Sequence, residues 1–569
     1  MSALIFLLCA EILGLLFRNS DSIVGLSLPG RQLKIIQYAD DTLLTLNGSV
    51  MELNSALNIL DKYNAMSGLK VNIQKTHAIW IGGFKNKKDG VLLNRNLNWV
   101  FDDYFRYLGI DFCTDLPKLI IHNYNEKFKE IKSQMTSWLR RYLTVLGRIT
   151  VVKSLLVSKL NYLFLSLPNP GENLLKDINA HFYRFIWGEK PDKISRNQMS
   201  QSYSDGGVKM IDIYTHCQSL KISWIKRLVI GSIDSNILRL LQSFLPERQD
   251  LKLYMGNNYF RELAGKTKNL FWKEMFMAYS TLLSMHHDNI SCQPLWNNDY
   301  IKIGNSSIYN KKLCQKGVRF VNDILDTNGD FFSLEHFQEK YNIQINFLFY
   351  RGLCDAIRQG FNNCTIFNKV PQPLFPDTMA FVMKRIKGCS HIYAILLKRR
   401  KGLCKSFLKW KCIFDLNDKS WETYCSIGFN CTIDVGLRWF QFKVLQRILY
   451  TNDLLFKMNL VPRKECTFCN EQIETVIHLL CDCTHVKNIW GRLEHWINTG
   501  TGNKLTFSLQ DKLFGLKGSN NYALNCILIV VRQMVYTCKI KKQLPDFDNI
   551  RVSIINYFKK RKVYCKFDL

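Results

Sequence analysis

Apolar positions fill the opening stretch Ser2-Ala-Leu-Ile-Phe-Leu-Leu-Cys-Ala-Glu-Ile-Leu-Gly-Leu-Leu-Phe17 almost completely, and the run predicts a buried amphipathic helix over residues 1–20. Two short β-type runs follow, Leu33–Gln37 and Thr42–Leu46, with Tyr38-Ala39-Asp40-Asp41 at the bend between them. From Val50 to about Ala65 the period changes to helical, with Leu53, Leu57, Leu60 and Tyr63 on one face. Val71–Ile73 and Ala78–Ile81 read as strands, Gly82–Gly90 as a glycine- and lysine-rich turn, and Tyr104–Phe112 as a further short strand pair. These elements make a mixed α/β unit over residues 1–113.

The pattern from 114 to 230 is helical. Trp138, Leu139, Tyr142, Leu143 and Leu146 recur at three and four, and Val151–Tyr162 continues until Pro168-Asn-Pro-Gly171 breaks the run. Residues 231–430 are aromatic-rich and mixed in pattern, and carry no motif. In residues 431–569 a cysteine–histidine cluster lies between helical segments. The fold class expected is therefore α+β, in four regions with boundaries near 113, 230 and 430.

Charge narrows the partners. Lys and Arg number 77 against 47 Asp and Glu, a formal net charge of +30 that favours a polyanion. The excess is spread along the chain, which suits a long binding track better than a basic arm. The 19 cysteines are odd in number and irregular in spacing, so a reducing, intracellular compartment is expected over a disulfide framework. The opening apolar run has no positive n-region and carries Glu11 at its centre, unlike a signal peptide. No uncharged apolar run reaches the roughly 18 residues of a spanning helix, Ile527–Val535 being interrupted by Arg532, and no membrane partner is expected.

Two places carry chemistry. Adjacent aspartates at a strand bend raise each other's pKa unless a cation sits on them, and hard carboxylate oxygens with no His or Cys nearby suit Mg2+ or Mn2+. Two such ions would serve phosphoryl transfer; a solvated turn is the plain alternative for Asp40 and Asp41. Cys466-Thr-Phe-Cys469, His478 and Cys483 have the spacing C-x2-C-x8-H-x4-C, which can close a tetrahedral site of three sulfurs and one nitrogen for Zn2+. Reduced core cysteines, or a set using Cys481 or His485, remain open alternatives.

The order Tyr38–Asp41, then Ser67-Gly-Leu-Lys-Val-Asn-Ile-Gln-Lys-Thr76, then Tyr107-Leu-Gly-Ile110 closely resembles the reverse transcriptases of non-LTR (LINE-type) retrotransposons. The resemblance implies that residues 1–113 are part of a polymerase palm whose hairpin carries metal-binding Asp40 and Asp41, with Tyr38 beside the primer end or incoming nucleotide. It places Lys75 where an ammonium could protonate pyrophosphate; a surface lysine is the plain reading. Trp138-Leu-Arg-Arg-Tyr-Leu-Thr-Val-Leu-Gly-Arg-Ile149 with Lys153 looks like the family's thumb, so that Arg140, Arg141, Arg148 and Lys153 would contact phosphates, the alternative being solvated charge on an ordinary helix. The cysteine cluster, with Glu474-Thr475, Trp490 and Arg447-Ile-Leu-Tyr-Thr-Asn-Asp453, resembles the family's C-terminal zinc-binding segment, thought to help hold template RNA.

The resemblance also implies a third metal-binding aspartate on a strand that would precede Ser2–Phe17. The expectation is therefore a truncated, RNA-directed DNA polymerase fragment that does not polymerise alone, followed by a helical thumb (114–230), a connector of unknown role (231–430) and a zinc-knuckle region (431–569). Its expected partners are RNA template, DNA primer and, if active, deoxynucleotides. The alternative is a non-catalytic nucleic-acid-binding remnant that keeps the thumb and zinc cluster.

Overall fold

The computed structural model describes residues 2–28, 31–88, 97–101, 103–230, 237, 240–241, 251–284, 290–362, 367, 389–398, 402, 404–502, 504–518 and 520–560. These form two compact units, one of residues 1–130, 159–175 and 214–396, the other of residues 131–158, 176–213 and 397–569. Among the described residues helices dominate, and the strands form two-stranded pairs.

In the first unit, the helix Ser2–Arg18 gives Leu13 and Phe17 to a small core with Ile23, Ile35, Ala56 and Tyr63. The expectation of a buried helix holds for that edge alone: Leu4, Leu7 and Leu8 are exposed. The strands Ile35–Tyr38 and Asp41–Leu44 pair antiparallel, Tyr38 opposite Asp41, with Ala39 and Asp40 as the two-residue loop. The helix Val50–Ser67 starts where Ser49 Oγ accepts from the Glu52 N–H and stops at Gly68, whose φ of 72° suits a residue without Cβ. Glu52 is itself buried, and its carboxylate accepts the backbone N–H groups of Val24, Gly25 and Asn47, tying the loops on both sides of the hairpin together.

Where a strand was expected at Val71–Ile73, Val71 and Asn72 are irregular and Ile73–Lys75 is a 3-10 turn. Asn72 explains the difference: its carbonyl accepts from the Lys75 N–H at 3.1 Å and the Thr76 hydroxyl at 2.8 Å, a local closure that competes with a ladder. The expected turn Gly82–Gly90 is described to residue 88, where Gly82–Phe84 is a 3-10 turn, and its end lies outside the described residues. Phe105–Tyr107 and Ile110–Phe112 pair antiparallel around Leu108 and Gly109, both at positive φ, and the Tyr162 hydroxyl donates to Leu108 O at 2.7 Å.

The stretch without sequence motifs supplies this unit's larger core. Trp272, Phe276, Tyr279, Trp296 and Leu353 are buried together, and the Trp296 indole donates to Val318 O at 2.7 Å. Part of residues 231–430 lies outside the described residues.

The second unit is built on the helices Lys405–Phe414, Asp418–Cys431, Val435–Leu445, Thr484–Thr501, Tyr522–Lys541 and Phe547–Lys560. Their apolar faces share one core that runs from Phe407 and Trp410 to Ile554 and includes Cys466 and Cys483. Among the described residues, two helical stretches, Val145–Ser166 and Tyr522–Lys541, are long and apolar enough to cross a membrane by length and composition. The second is a core helix of this unit. Its Arg532 is fully buried and donates to Lys512 O and Gln441 Oε1, both at 2.8 Å.

Candidate metal centre

The chain leaves the helix Val435–Leu445 and runs through Leu449 and Tyr450 to the short helix Asn452–Lys457. A tight loop follows, in which the Cys466 N–H donates to Gln472 O and the Asn470 N–H returns to Cys466 O at 3.0 Å. This knuckle sets Cys466 and Cys469 side by side, and the Phe468 N–H points at Cys466 Sγ at 3.4 Å.

The other two candidate ligands come from one turn. His478 and Cys483 are five residues apart, which in an α-helix of 3.6 residues per turn would rotate them about 140° from each other. Here His478–Asp482 forms a π turn closed by the Cys483 N–H on His478 O at 2.9 Å, and the extra residue returns Cys483 to the side of His478. The H-x4-C spacing and the π turn thus account for each other.

One ligand atom from each of Cys466, Cys469, His478 and Cys483 lies within 4.8 Å of the others. Cys466 Sγ is 3.9 Å from Cys483 Sγ, and Cys469 Sγ is 3.4 Å from His478 Nε2. A tetrahedral zinc with bonds of about 2.3 Å to sulfur and 2.0–2.1 Å to nitrogen needs separations of about 3.8 Å and 3.5 Å. A disulfide would need about 2.05 Å, so the pair is a thiol pair. The donor set therefore fits Zn2+: soft sulfur and imidazole, in a mostly buried cage. Cys481 and His485, the alternatives left open above, are not members of this group.

Burial pushes the Cys466 thiol up to about 12, a penalty on the bare thiolate that a cation removes. Burial also acts to raise Cys469, but hydrogen bonds from the Gln472 and Glu471 backbone outweigh it and hold that thiol below its usual value. For His478, burial lowers the imidazole pKa and favours the neutral ring that a metal requires.

The surrounding residues fix the loop. Glu474 is fully buried and accepts from the Thr467 N–H at 2.7 Å, the Thr467 hydroxyl at 2.6 Å and the Asn452 N–H at 2.8 Å, with the Lys539 ammonium 3.5 Å away. The Asn452 side chain donates to Glu465 O at 2.7 Å. Trp490 is buried, and its indole donates to Leu480 O at 2.9 Å, holding the π turn from behind. Glu474, Asn452 and Trp490 all fall in the segments that carried the family resemblance, and the structure supplies a physical reason for each.

The aspartate hairpin is open. Tyr38, Asp40 and Asp41 meet at its exposed tip. Ala39 has φ of 52°, a left-handed conformation that strains a residue with a Cβ. Sequence reading placed Tyr107 on a strand, in the Tyr107–Ile110 stretch that the resemblance matches to the family's primer grip. Its hydroxyl is buried with no hydrogen-bond partner among the described residues, and burial, then the Asp41 charge, then Tyr162 raise its pKa, so Asp41 and Tyr107 are neighbours. Lys75 is exposed at the end of its 3-10 turn.

In the second unit, Arg140 is exposed, and the Arg141 guanidinium lies 4.3 Å over the Trp138 ring. Arg148 donates to Phe185 O at 3.2 Å and Ile186 O at 3.4 Å, serving the end of the helix Glu172–Trp187. Lys153 has Lys209 nearby; burial first, and then that like charge, lower its pKa.

Residues 406–490 match the family described as zinc-binding in reverse transcriptase. The matched stretch contains all four members of the cluster, as well as the helices Asp418–Cys431 and Val435–Leu445 that pack against it. The match supports a reverse-transcriptase-related chain, and with the group of three cysteines and one histidine it supports Zn2+ in the C-terminal unit.

Proposed function

We propose that this chain acts in RNA-directed DNA synthesis of the LINE type, its second unit holding RNA template and DNA primer and its Asp40–Asp41 hairpin holding Mg2+ or Mn2+ at a polymerase palm. The observation that carries the reading is the Cys466, Cys469, His478 and Cys483 group inside a stretch matching zinc-binding in reverse transcriptase. The net charge of +30 supports a polyanionic partner. The exposed carboxylates beside the strained Ala39 support a built metal hairpin. In this reading Zn2+ fixes the knuckle, and Arg140, Arg141 and Lys153 contribute phosphate contacts. Lys75 would act as proton donor to pyrophosphate, and deoxynucleotides are the co-substrate. The setting is intracellular, where free thiols persist.

A second reading is a nucleic-acid-binding chain that does not polymerise. Among the described residues, the group of three or more metal-competent side chains in mutual reach is the cysteine–histidine one, and Asp40 and Asp41 stand as a pair. One experiment separates the readings: binding of an RNA template with an annealed DNA primer, then Mg2+-dependent extension, beside the Asp40→Ala/Asp41→Ala variant. Extension lost in the variant supports the polymerase reading. Binding with no extension supports the second. A zinc-loaded chain that binds neither RNA nor primer–template contradicts both.

A further inference from the structure

Two lysines of the second unit feel each other's charge. Lys193 is exposed, with its ammonium 4.4 Å over the Tyr450 ring, and Lys443 reaches from the helix Val435–Leu445 to 5.5 Å over the Tyr536 ring. The two tyrosines beneath these ammonium groups are joined by the Tyr450 N–H on the Tyr536 hydroxyl at 3.2 Å, and burial, then the charge of Lys193, hold Lys443 below the usual lysine value. Neither forms an ion pair among the described residues. Three acids of the surrounding segments are engaged elsewhere: Glu474 by Lys539, Asp453 by Lys457 at 2.7 Å, and Asp192 by Arg196 at 2.8 Å.

Hydrogen bonds tie Tyr450 to the helix Tyr522–Lys541. The Tyr450 N–H donates to the Tyr536 hydroxyl at 3.2 Å, and Lys539 donates to Tyr450 O at 2.6 Å. Two residues on, Asn452 is tied to Glu474 and Glu465 of the cysteine knuckle. A pair of like charges held in place costs free energy until an anion sits between them.

We infer that Lys193 and Lys443, set by Tyr450 and Tyr536, form a seat for a phosphodiester group of a nucleic-acid strand. The inference rests on the nucleic-acid reading above and adds a site to it: the strand passes over the segment Gln446–Asn452 that also anchors the knuckle. Phosphate contacts carry no sequence information, so the seat acts on affinity and on its salt dependence.

The test uses the full, zinc-loaded chain with labelled single-stranded RNA, single-stranded DNA and duplex over a series of salt concentrations. It compares wild type, Lys193→Ala/Lys443→Ala, and a control pair on the last helix, Lys559→Ala/Lys560→Ala. The expected result is weaker binding by the first variant alone, with the slope of log K against log salt reduced by about 1.4 on single strands, about 0.7 per lysine. Zinc content equal to wild type shows that the scaffold is intact. A loss shared by RNA and DNA supports a seat for either backbone, and a loss confined to RNA identifies the template as its source. If wild type binds but the first variant matches the control pair, the seat is refuted and the nucleic-acid reading stands. If wild type binds no nucleic acid, that reading falls and the seat with it.

Discussion

Cys469 Sγ stands 3.4 Å from His478 Nε2, two side chains brought together across nine residues by a knuckle on one side and a π turn on the other. That separation is the edge of a small tetrahedron whose other corners are Cys466 and Cys483. Hydrophobic packing alone gives no reason for three thiols and an imidazole to converge, whereas a shared cation does.

Single substitutions should divide along this geometry. Cys466→Ser, Cys469→Ser and Cys483→Ser are each expected to lose tight zinc binding and to lower the unfolding temperature of the second unit. Cys481→Ser should keep one zinc per chain, because Cys481 lies outside the cluster and burial pushes its thiol up to about 12. Metal analysis of the purified variants, with thermal unfolding alongside, checks both.

Glu474→Ala should be among the most damaging changes away from the cluster itself. It leaves the buried Lys539 ammonium without its carboxylate and orphans the Thr467 and Asn452 donors, a loss of about 3–5 kcal/mol for a broken buried pair. Denaturant unfolding reads the loss, and faster zinc transfer to a chelator reads the loosened knuckle. Glu474→Gln, which keeps the shape and an acceptor oxygen, should cost less in both.

The sequence made the ligand set legible because metal spacing is local. It did not make legible what holds that set, since Phe407, Trp410 and Val531 lie far from the cysteines along the chain and join them only through the shared core. The hairpin was placed to within two residues at its ends by alternation. Ala39's left-handed backbone and the nearness of Asp41 to Tyr107 were not, since neither leaves a trace in residue type. Arg140, Arg141 and Arg148 look equivalent in sequence; only the fold reveals that Arg148 is committed to the carbonyls of Phe185 and Ile186. Asn72 reversed the strand expected at Val71–Ile73 through hydrogen bonds that a period-two pattern does not detect.

The first unit should lose stability in mild acid. His216 lies largely buried with Nε2 2.7 Å from Asn161 Oδ1, and burial lowers its pKa to about 4 from the usual 6.5. Between those values the unfolded chain binds the proton and the folded chain does not, so the contribution is complete above pH 6.5 and is lost as the pH falls toward 4. Its full size is roughly 3 kcal/mol at about 1.36 kcal/mol per pH unit. Denaturant unfolding from about pH 7.5 to about pH 4.5 should show this slope in wild type, and a His216→Gln variant should show a correspondingly weaker one.

Ala39→Gly should stabilise the hairpin by about 1 kcal/mol, since glycine takes the left-handed conformation without a Cβ clash. Slower amide exchange across Ile35–Leu44 would show it. Unchanged or faster exchange would mean that the turn is not strained in solution.

X-ray absorption at the zinc edge of the purified full chain tests the central claim most directly. The expected result is one zinc per chain with three sulfurs at about 2.3 Å and one nitrogen at about 2.0–2.1 Å. A shell of four sulfurs, a shell of nitrogen and oxygen only, or a chain that retains no zinc would contradict the assignment of Cys466, Cys469, His478 and Cys483 as its ligands.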